Sequence, residues 1–151
     1  MKGLLVDSNV ILDIFLDDPN WADWAESALA RYSDHTTLYI NTIIYTEVSV
    51  GFKKIEELES ALHKGGFQML EIPKEALFLA GKAYLKYKRG KGIKKSSLPD
   101  FYIGAQAAVL DMDLITRDEG RYRTYFPTVR VIPVVAKAQD APAPRRPRVK
   151  P

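Results

Sequence analysis

The stretch that decides the fold spans residues 3–10 and reads Gly3-Leu4-Leu5-Val6-Asp7-Ser8-Asn9-Val10. Its short apolar run is typical of a strand that is buried on both faces of a parallel sheet. Asp7 ends the run, and Ser8 or Asn9 can cap a helix over residues 10–16. A buried strand that turns directly into a helix predicts an α/β fold, with Asp7 at the carboxyl end of the first strand.

The rest of the sequence repeats this alternation of short apolar runs and helical periodicity. Four further strands are predicted at residues 37–41, 67–72, 114–116 and 129–135. Helices are predicted between the strands, over residues 10–16, 19–32, 42–52, 55–63, 73–87 and 97–110. The alternation predicts a three-layer α/β sandwich, in which helices flank a central, mainly parallel sheet of five strands.

The composition narrows the kinds of site that the chain can form. The 151 residues suffice for one compact domain, and they include no cysteine, which excludes disulfides and thiolate metal sites. His35 and His63 lie far apart in the sequence, so a metal would be bound mainly by oxygen, which favours Mg²⁺ or Mn²⁺. No apolar run could cross a bilayer, and Asp7 comes too early for a signal peptide. We therefore expect a cytoplasmic protein.

The net charge of +3 is unevenly distributed along the chain. Residues 137–151 contain five basic residues and one acid, a net of +4, which leaves −1 for residues 1–136. The last stretch is rich in proline and arginine and has no apolar periodicity, so we expect a disordered tail. The high pI of about 9.0 is therefore a property of the tail and does not make the predicted domain basic.

Four acidic residues fall near one edge of the predicted sheet. Asp7 and Asp118 follow the first and fourth strands, Asp100 lies in the first turn of the most apolar helix, and Glu47 lies on the helix after the second strand. Sites in parallel α/β sheets form at the carboxyl ends of the strands. These four carboxylates are therefore candidates for a common site.

Each acid also has an ordinary structural interpretation. Asp7 can cap the helix that follows it. Asp100 stands three residues after Ser97, as in a capping box, and Asp118 can be a turn residue. Glu47 borders the apolar face of its helix, where a purely solvated glutamate is less common.

Converging carboxylates repel one another, and a bound divalent cation removes that repulsion. Hard cations such as Mg²⁺ take carboxylate oxygens and leave positions for phosphate oxygens. Such ions assist hydrolysis at phosphorus. An acidic cluster without histidine or cysteine ligands is therefore suited to cleaving phosphodiester bonds.

Four segments, in order and at suitable spacing, resemble the motifs of the PIN-domain ribonucleases, and most closely those of VapC-like toxins from toxin–antitoxin pairs. The segments are Val6-Asp7-Ser8-Asn9-Val10, Tyr45-Thr46-Glu47-Val48, Leu98-Pro99-Asp100-Phe101-Tyr102-Ile103-Gly104-Ala105 and Leu114-Ile115-Thr116-Arg117-Asp118. The resemblance continues through residues 122–127 and covers about residues 1–134.

This resemblance implies a PIN-like nuclease domain at residues 1–136, with the tail at 137–151 outside it. It implies that the acidic quartet of Asp7, Glu47, Asp100 and Asp118 is catalytic and binds Mg²⁺ or Mn²⁺. Asn9 and Thr116 match polar positions that support such a site by hydrogen bonds. It further implies an RNA substrate, a homodimer and a cognate antitoxin.

Basic residues near the predicted site are candidates for RNA binding, since an acidic cleft would otherwise repel its substrate. They are Lys91, Lys94, Lys95 and Arg117. The alternative for the three lysines is a solvated loop.

The main alternative function is a PIN-like module that binds RNA or protein without cleaving it. The complete quartet argues against this alternative. A phosphatase of the haloacid type is disfavoured, because its second aspartate is replaced by Asn9.

Overall fold

The structure, a computed structural model, describes residues 3–90 and 98–133. Its strands are β1 (Leu4–Val6), β2 (Leu38–Ile40), β3 (Phe67–Met69), β4 (Asp113–Thr116) and β5 (Val131–Pro133). Its helices are α1 (Ser8–Phe15), α2 (Ala22–Ser33), α3 (Thr42–Ser49), α4 (Ile55–Lys64), α5 (Lys74–Arg89), α6 (Leu98–Val109) and α7 (Glu119–Tyr125). The expected tail at 137–151 and the three candidate lysines at 91, 94 and 95 lie outside the described residues.

The five strands form one parallel sheet in the order β3-β2-β1-β4-β5. At its centre, Leu5 pairs with Tyr39 of β2 on one side and with Leu114 of β4 on the other. Every residue of β1 is buried, as expected for a strand covered on both faces. The predicted α/β sandwich with a parallel five-stranded sheet is confirmed.

The chain runs outward from β1 through β2 to β3, then crosses back to β4 and ends at β5. Crossovers between parallel strands are nearly always right-handed, so this strand order is expected to place α1–α4 on one face of the sheet and α5–α7 on the other. In agreement, α1 packs against α2 and α3, and α6 packs against α5 and α7. The direction of winding reverses between β1 and β4, and such a reversal leaves a crevice at the carboxyl ends of those strands.

Helix α6 is the central element of one helical layer. The ring centroid of Phe101, on α6, lies 5.3 Å from that of Tyr84 on α5 and 5.3 Å from that of Tyr125 on α7. Gly104 lies against the ring of Phe126, where a Cβ atom would overlap the aromatic carbons. These contacts fix α7 against α6, and α7 begins beside the crevice.

Polar side chains that precede α1, α2 and α3 accept hydrogen bonds from backbone N–H groups at or near the starts of these helices. Asp7, which the sequence offered as an alternative cap, accepts a hydrogen bond from the backbone N–H of Ser8, so α1 begins at Ser8 and not at residue 10. Asn41 caps α3 by accepting a hydrogen bond from the N–H of Ile44, 2.8 Å away, and α3 begins at Thr42 as predicted. Helix α2 begins later than predicted, because Asp18 forms a turn by accepting from the N–H groups of residues 20 and 21.

Helix α7 is absent from the sequence-based predictions. Its seven residues are mostly polar, and the buried side chain among them is that of Tyr122. A helix this short shows little periodicity in the sequence, so residues 117–120 resemble a turn. Within the described ranges, no helix is long and apolar enough to span a membrane.

Candidate active site

Asp7 is buried at the carboxyl end of β1, with 4% of its surface exposed. Its Oδ2 accepts hydrogen bonds from Thr116 Oγ1 at 2.8 Å and from Tyr122 Oη at 2.9 Å. Its Oδ1 accepts from the N–H of Ser8 at 2.8 Å. Burial raises the pKa of Asp7 to about 6, although these three bonds lower it; the charge of Asp100 raises it further. Asp7 therefore caps α1 and also belongs to an acidic cluster.

Glu47 reaches the same edge from α3. Its Oε1 accepts a hydrogen bond of 2.9 Å from Ser8 Oγ, which joins the glutamate to the first turn of α1. Partial burial raises the pKa of Glu47, and the charge of Asp100 raises it too, while the Ser8 bond and the positive charge of Arg121 lower it. Glu47 is therefore close enough to Asp100 and to Arg121 for their charges to affect its pKa.

Asn9 and Thr116 connect β4 to the loop that carries Asp118. Asn9 Nδ2 donates to Asp118 Oδ2 at 3.2 Å and to Thr116 Oγ1 at 3.4 Å. The backbone N–H of Asp118 donates to the same hydroxyl at 3.1 Å. Since Thr116 Oγ1 also donates to Asp7, these bonds link Asp7 to Asp118. Asn9 and Thr116 thus hydrogen-bond to predicted acids, and their role in supporting a metal site stays a prediction.

Asp100 and Asp118 are bridged by the guanidinium of Arg121, on the first turn of α7. Arg121 Nη1 lies 3.2 Å from Asp100 Oδ2 and 3.8 Å from Asp118 Oδ2. The Asp100 side chain is 12% exposed and that of Arg121 is 39% exposed, so this cation sits at the mouth of the crevice.

The structure brings the four predicted acids to one edge of the sheet. Ser8 joins Asp7 to Glu47 through its N–H and its hydroxyl, and Arg121 contacts Asp100. Burial raises the pKa of the Tyr122 hydroxyl, and the charges of Asp7, Asp100 and Glu47 raise it further. Asp118 joins the group through Arg121. The carboxylate oxygens have the donor chemistry that Mg²⁺ or Mn²⁺ requires. Among the described residues, however, no three acids or histidines form a ready-made metal-binding group. The acids are instead held by hydrogen bonds and by a guanidinium.

Sequence reasoning missed three residues that hold the cluster together: Ser8, Arg121 and Tyr122. Arg121 and Tyr122 lie on α7, a helix that was not predicted. Had it been predicted, the helical spacing would have placed residue 121 one turn after Asp118, on the same side of the helix. Ser8 is predicted only as a cap, yet its hydroxyl faces Glu47.

Arg117 points to a different set of residues. Its Nε lies 3.1 Å from Asp13 Oδ2, and its guanidinium lies 4.9 Å from the centroid of the Trp21 ring. Burial raises the pKa of Asp13 to about 6, while Arg117 lowers it and Asp18 raises it. No donor among the described residues is aligned for a hydrogen bond to Asp13 Oδ2, so the contact is an ion pair. Arg117 thus anchors the β4–α7 loop to α1, and its predicted role in RNA binding stays a prediction.

A buried amide pair fixes the two helices that carry Glu47 and Asp100. Asn41 Nδ2 donates to Gln106 Oε1 at 2.7 Å, while Asn41 Oδ1 caps α3. Gln106 Nε2 donates to the carbonyls of Leu70 and Glu71. Both amide side chains are fully buried and hydrogen-bonded, which makes the relative position of α3 and α6 specific.

The fold closely matches several solved structures. A chain of the VapBC2 complex of Rickettsia felis, bound to a DNA fragment from its promoter, superposes with a TM-score of 0.69 at 17% identity, covering 89% of this chain and 99% of that one. A chain of a toxin–antitoxin complex from Klebsiella pneumoniae gives 0.59 at 24% identity, covering 86% and 96%. A chain of FitAcB from Neisseria gonorrhoeae gives 0.58 at 21% identity, covering 85% and 95%.

The family assignment comes from the sequence itself. No curated protein sequence matches the chain significantly. The family profile of the PIN domain, by contrast, matches residues 4–127, from the first residue of β1 to beyond the end of α7. This match includes all four acids and most of the chain. The chain therefore belongs to the PIN domain family.

Proposed function

We propose that the protein is a metal-dependent endoribonuclease that hydrolyses RNA phosphodiester bonds, and that it acts in the cytoplasm as the toxin of a toxin–antitoxin pair. The observation that carries the proposal is the gathering of Asp7, Glu47, Asp100 and Asp118 at one sheet edge. Belonging to the PIN domain family, whose members are generally nucleases, supports it.

In this proposal the four carboxylates hold Mg²⁺ or Mn²⁺. A bound divalent cation supplies positive charge that stabilises the phosphorane-like transition state. Thr116, Tyr122 and the N–H of Ser8 hold the Asp7 carboxylate in place with three hydrogen bonds.

Glu47 is the acid that we assign as general base. Its pKa is raised by partial burial, and a carboxylate with a raised pKa accepts a proton more readily near neutral pH. The Ser8 hydroxyl orients Oε1. A carboxylate has two oxygens, so Glu47 would take the proton from the attacking water with one of them and stay beside the ion with the other, while Asp7, Asp100 and Asp118 hold the ion.

A cognate antitoxin is the proposed protein partner. The support is structural similarity to chains solved in toxin–antitoxin complexes from Rickettsia felis and Klebsiella pneumoniae. The corresponding test is to find a small reading frame next to the gene and to co-express both products. An antitoxin must co-purify with the protein and relieve growth inhibition by the wild type.

A homodimer is proposed on the basis of apolar side chains exposed along α5. Three apolar side chains project from the same face of α5, within about a third of a turn, and are exposed in the described structure. They are Leu77, Phe78 and Leu85. Light scattering should give twice the chain mass for the wild type and a monomer for Phe78→Glu. A monomeric wild type would contradict this part of the proposal.

RNA is the proposed substrate, and the candidates for binding its phosphates are Lys91, Lys94, Lys95 and Arg117. The last of these flanks Asp118 in the sequence, and its side chain is a third exposed. Replacing the lysines with glutamine should weaken RNA binding and reduce its dependence on salt.

The decisive experiment is a cleavage assay on total RNA with Mg²⁺ or Mn²⁺, with and without EDTA. Asp100→Asn should abolish cleavage, because it removes a proposed ligand without changing size. Asp111→Asn is the matched control: Asp111 is exposed in the α6–β4 turn, and asparagine tolerates its φ of 52°. Cleavage by Asp100→Asn at the wild-type rate, with contaminating nuclease excluded, would contradict the proposal. RNA binding without cleavage in either metal would support a binding module instead.

A further inference from the structure

Arg121 is a positively charged side chain inside a cluster of acids. Its Nη1 contacts Asp100 Oδ2 at 3.2 Å and approaches Asp118 Oδ2 at 3.8 Å. Its charge also lowers the pKa of Glu47. One guanidinium therefore interacts with three of the four acids that are proposed to bind a metal.

The backbone places Arg121 in this position. Helix α7 starts directly after Asp118, and the N–H of Arg121 donates to the carbonyl of Asp118 at 3.1 Å. The i,i+3 spacing turns the guanidinium back toward the acids. Arg123 on the same helix behaves differently: it pairs with Glu119, and its side chain is 57% exposed.

We propose that Arg121 is a built-in counter-cation, which neutralises the acids of the metal-free protein and competes with the divalent ion for Asp100 and Asp118. This inference rests on the metal site of the proposed function. Metal binding then requires Arg121 to leave the carboxylates, and the metal affinity is lower than the four acids alone would give.

The physical reasons are charge and space. Arginine stays protonated in proteins, so it cannot give way by losing its proton. A divalent cation needs the same carboxylate oxygens, and two cations at those oxygens would repel each other. Since 39% of the Arg121 side chain is exposed, the guanidinium can move into solvent when an ion replaces it.

The test is the affinity of the full chain for Mn²⁺, measured by calorimetry after removal of metal with EDTA. Arg121→Gln should bind Mn²⁺ about tenfold more tightly than the wild type, equivalent to about 1.4 kcal/mol. Arg123→Gln is the matched control, because it removes the same charge from the same helix outside the cluster. Its affinity should stay within about twofold of the wild type, since screening weakens exposed charges.

A second readout is thermal stability. Without metal, Arg121→Gln should melt below the wild type, because the acids lose their counter-charge. Adding Mn²⁺ should raise its melting temperature by more than it raises that of the wild type, because tighter binding stabilises the fold more.

Equal affinities for the wild type and Arg121→Gln would overturn the inference. Weaker binding by the variant would also overturn it, since Arg121 would then be arranging the ligands. If none of the three proteins bound Mn²⁺, both the metal site and the inference would fall. If Mn²⁺ bound but RNA were not cleaved, the proposed nuclease activity would fail while the affinities still tested Arg121.

If Arg121→Gln does not fold, the wild type gives the answer by NMR. The Nε–H signal of Arg121, assigned by its loss in Arg121→Lys, should shift when Mg²⁺ is added. The signal of Arg123 should not shift. An unchanged Arg121 signal at Mg²⁺ concentrations that saturate the protein would overturn the inference.

Discussion

Replacing Asp7 with asparagine should inactivate the protein and stabilise it at neutral pH in the same step. Burial raises the pKa of Asp7 from 3.8 to about 6 in the folded protein. A raised carboxyl pKa means that the fold binds the proton more tightly than the unfolded chain does. Stability from this residue is therefore full below pH 4 and is lost as the pH rises through 6.

The magnitude follows from the pKa values and the hydrogen bonds. A rise of roughly two pKa units corresponds to a penalty of about 3 kcal/mol at pH 7. Asparagine removes this penalty, and its amide oxygen can still accept from Thr116 and Tyr122. Its NH₂ group would then face the N–H of Ser8, and the lost cap bond costs about 1 kcal/mol. The net gain is about 2 kcal/mol at pH 7.

The assay is urea unfolding of the wild type and Asp7→Asn in EDTA, at a series of pH values from 4 to 7. The gain should be largest at pH 7 and should turn into a loss of up to about 1 kcal/mol near pH 4, where the folded wild type is already protonated and the lost cap bond remains. Asp111→Asn, at an exposed position, should show no pH-dependent gain. RNA cleavage is measured on the same samples with Mg²⁺ restored.

Two results would refute this reasoning. If Asp7→Asn were less stable than the wild type at pH 7, the hydrogen bonds to Asp7 would outweigh its burial. A gain of the same size at pH 4 and pH 7 would show that ionisation of Asp7 is not its cause.

Other variants test the supporting structure. Tyr122→Phe removes a donor to the Asp7 carboxylate and should cost about 1–3 kcal/mol at pH 7, with a smaller loss at pH 4, by urea unfolding in EDTA. Gly104→Ala should lower stability by about 1–3 kcal/mol, because the new methyl overlaps the Phe126 ring; unchanged stability would contradict this packing. Gly81→Ala is its matched helical control, since its new methyl group would meet no neighbouring atom within 4 Å; it should gain up to about 1 kcal/mol in the same assay.

The fold was largely predictable because its main features are periodic. The apolar run at Leu4–Val6 predicts β1, and helical spacing predicts α5 and α6 nearly to the residue. The errors include the missed helix α7 and the starts of α1 and α2, where a single polar side chain decides the boundary. Asp7, for example, accepts from the N–H of Ser8, so α1 begins two residues before the predicted helix.

The sequence predicted the four acids of the candidate site from strand ends and the PIN motifs, and it predicted two hydrogen-bonding residues beside them, Asn9 and Thr116. It did not predict the contacts of Ser8, Tyr122 and Arg121. The contacts of Ser8 with Glu47 and of Tyr122 with Asp7 span 39 and 115 residues, and no local pattern encodes them. Arg121 was missed for a different reason, since a seven-residue polar helix leaves no clear periodicity.

The crevice gathers charges that the fold itself disfavours. Asp7 is buried although burial raises its pKa, and Asp100 raises the pKa of both Asp7 and Glu47. Hydrogen bonds from Thr116 and Tyr122 offset only part of this penalty. A divalent cation would need these same acids as ligands. The close carboxylates that lower the stability of the metal-free fold are therefore the ones proposed to bind the metal. Removing the charge of Asp7 should therefore improve the fold and, under the proposed function, destroy activity, whereas removing the counter-charge of Arg121 should weaken the metal-free fold and strengthen metal binding.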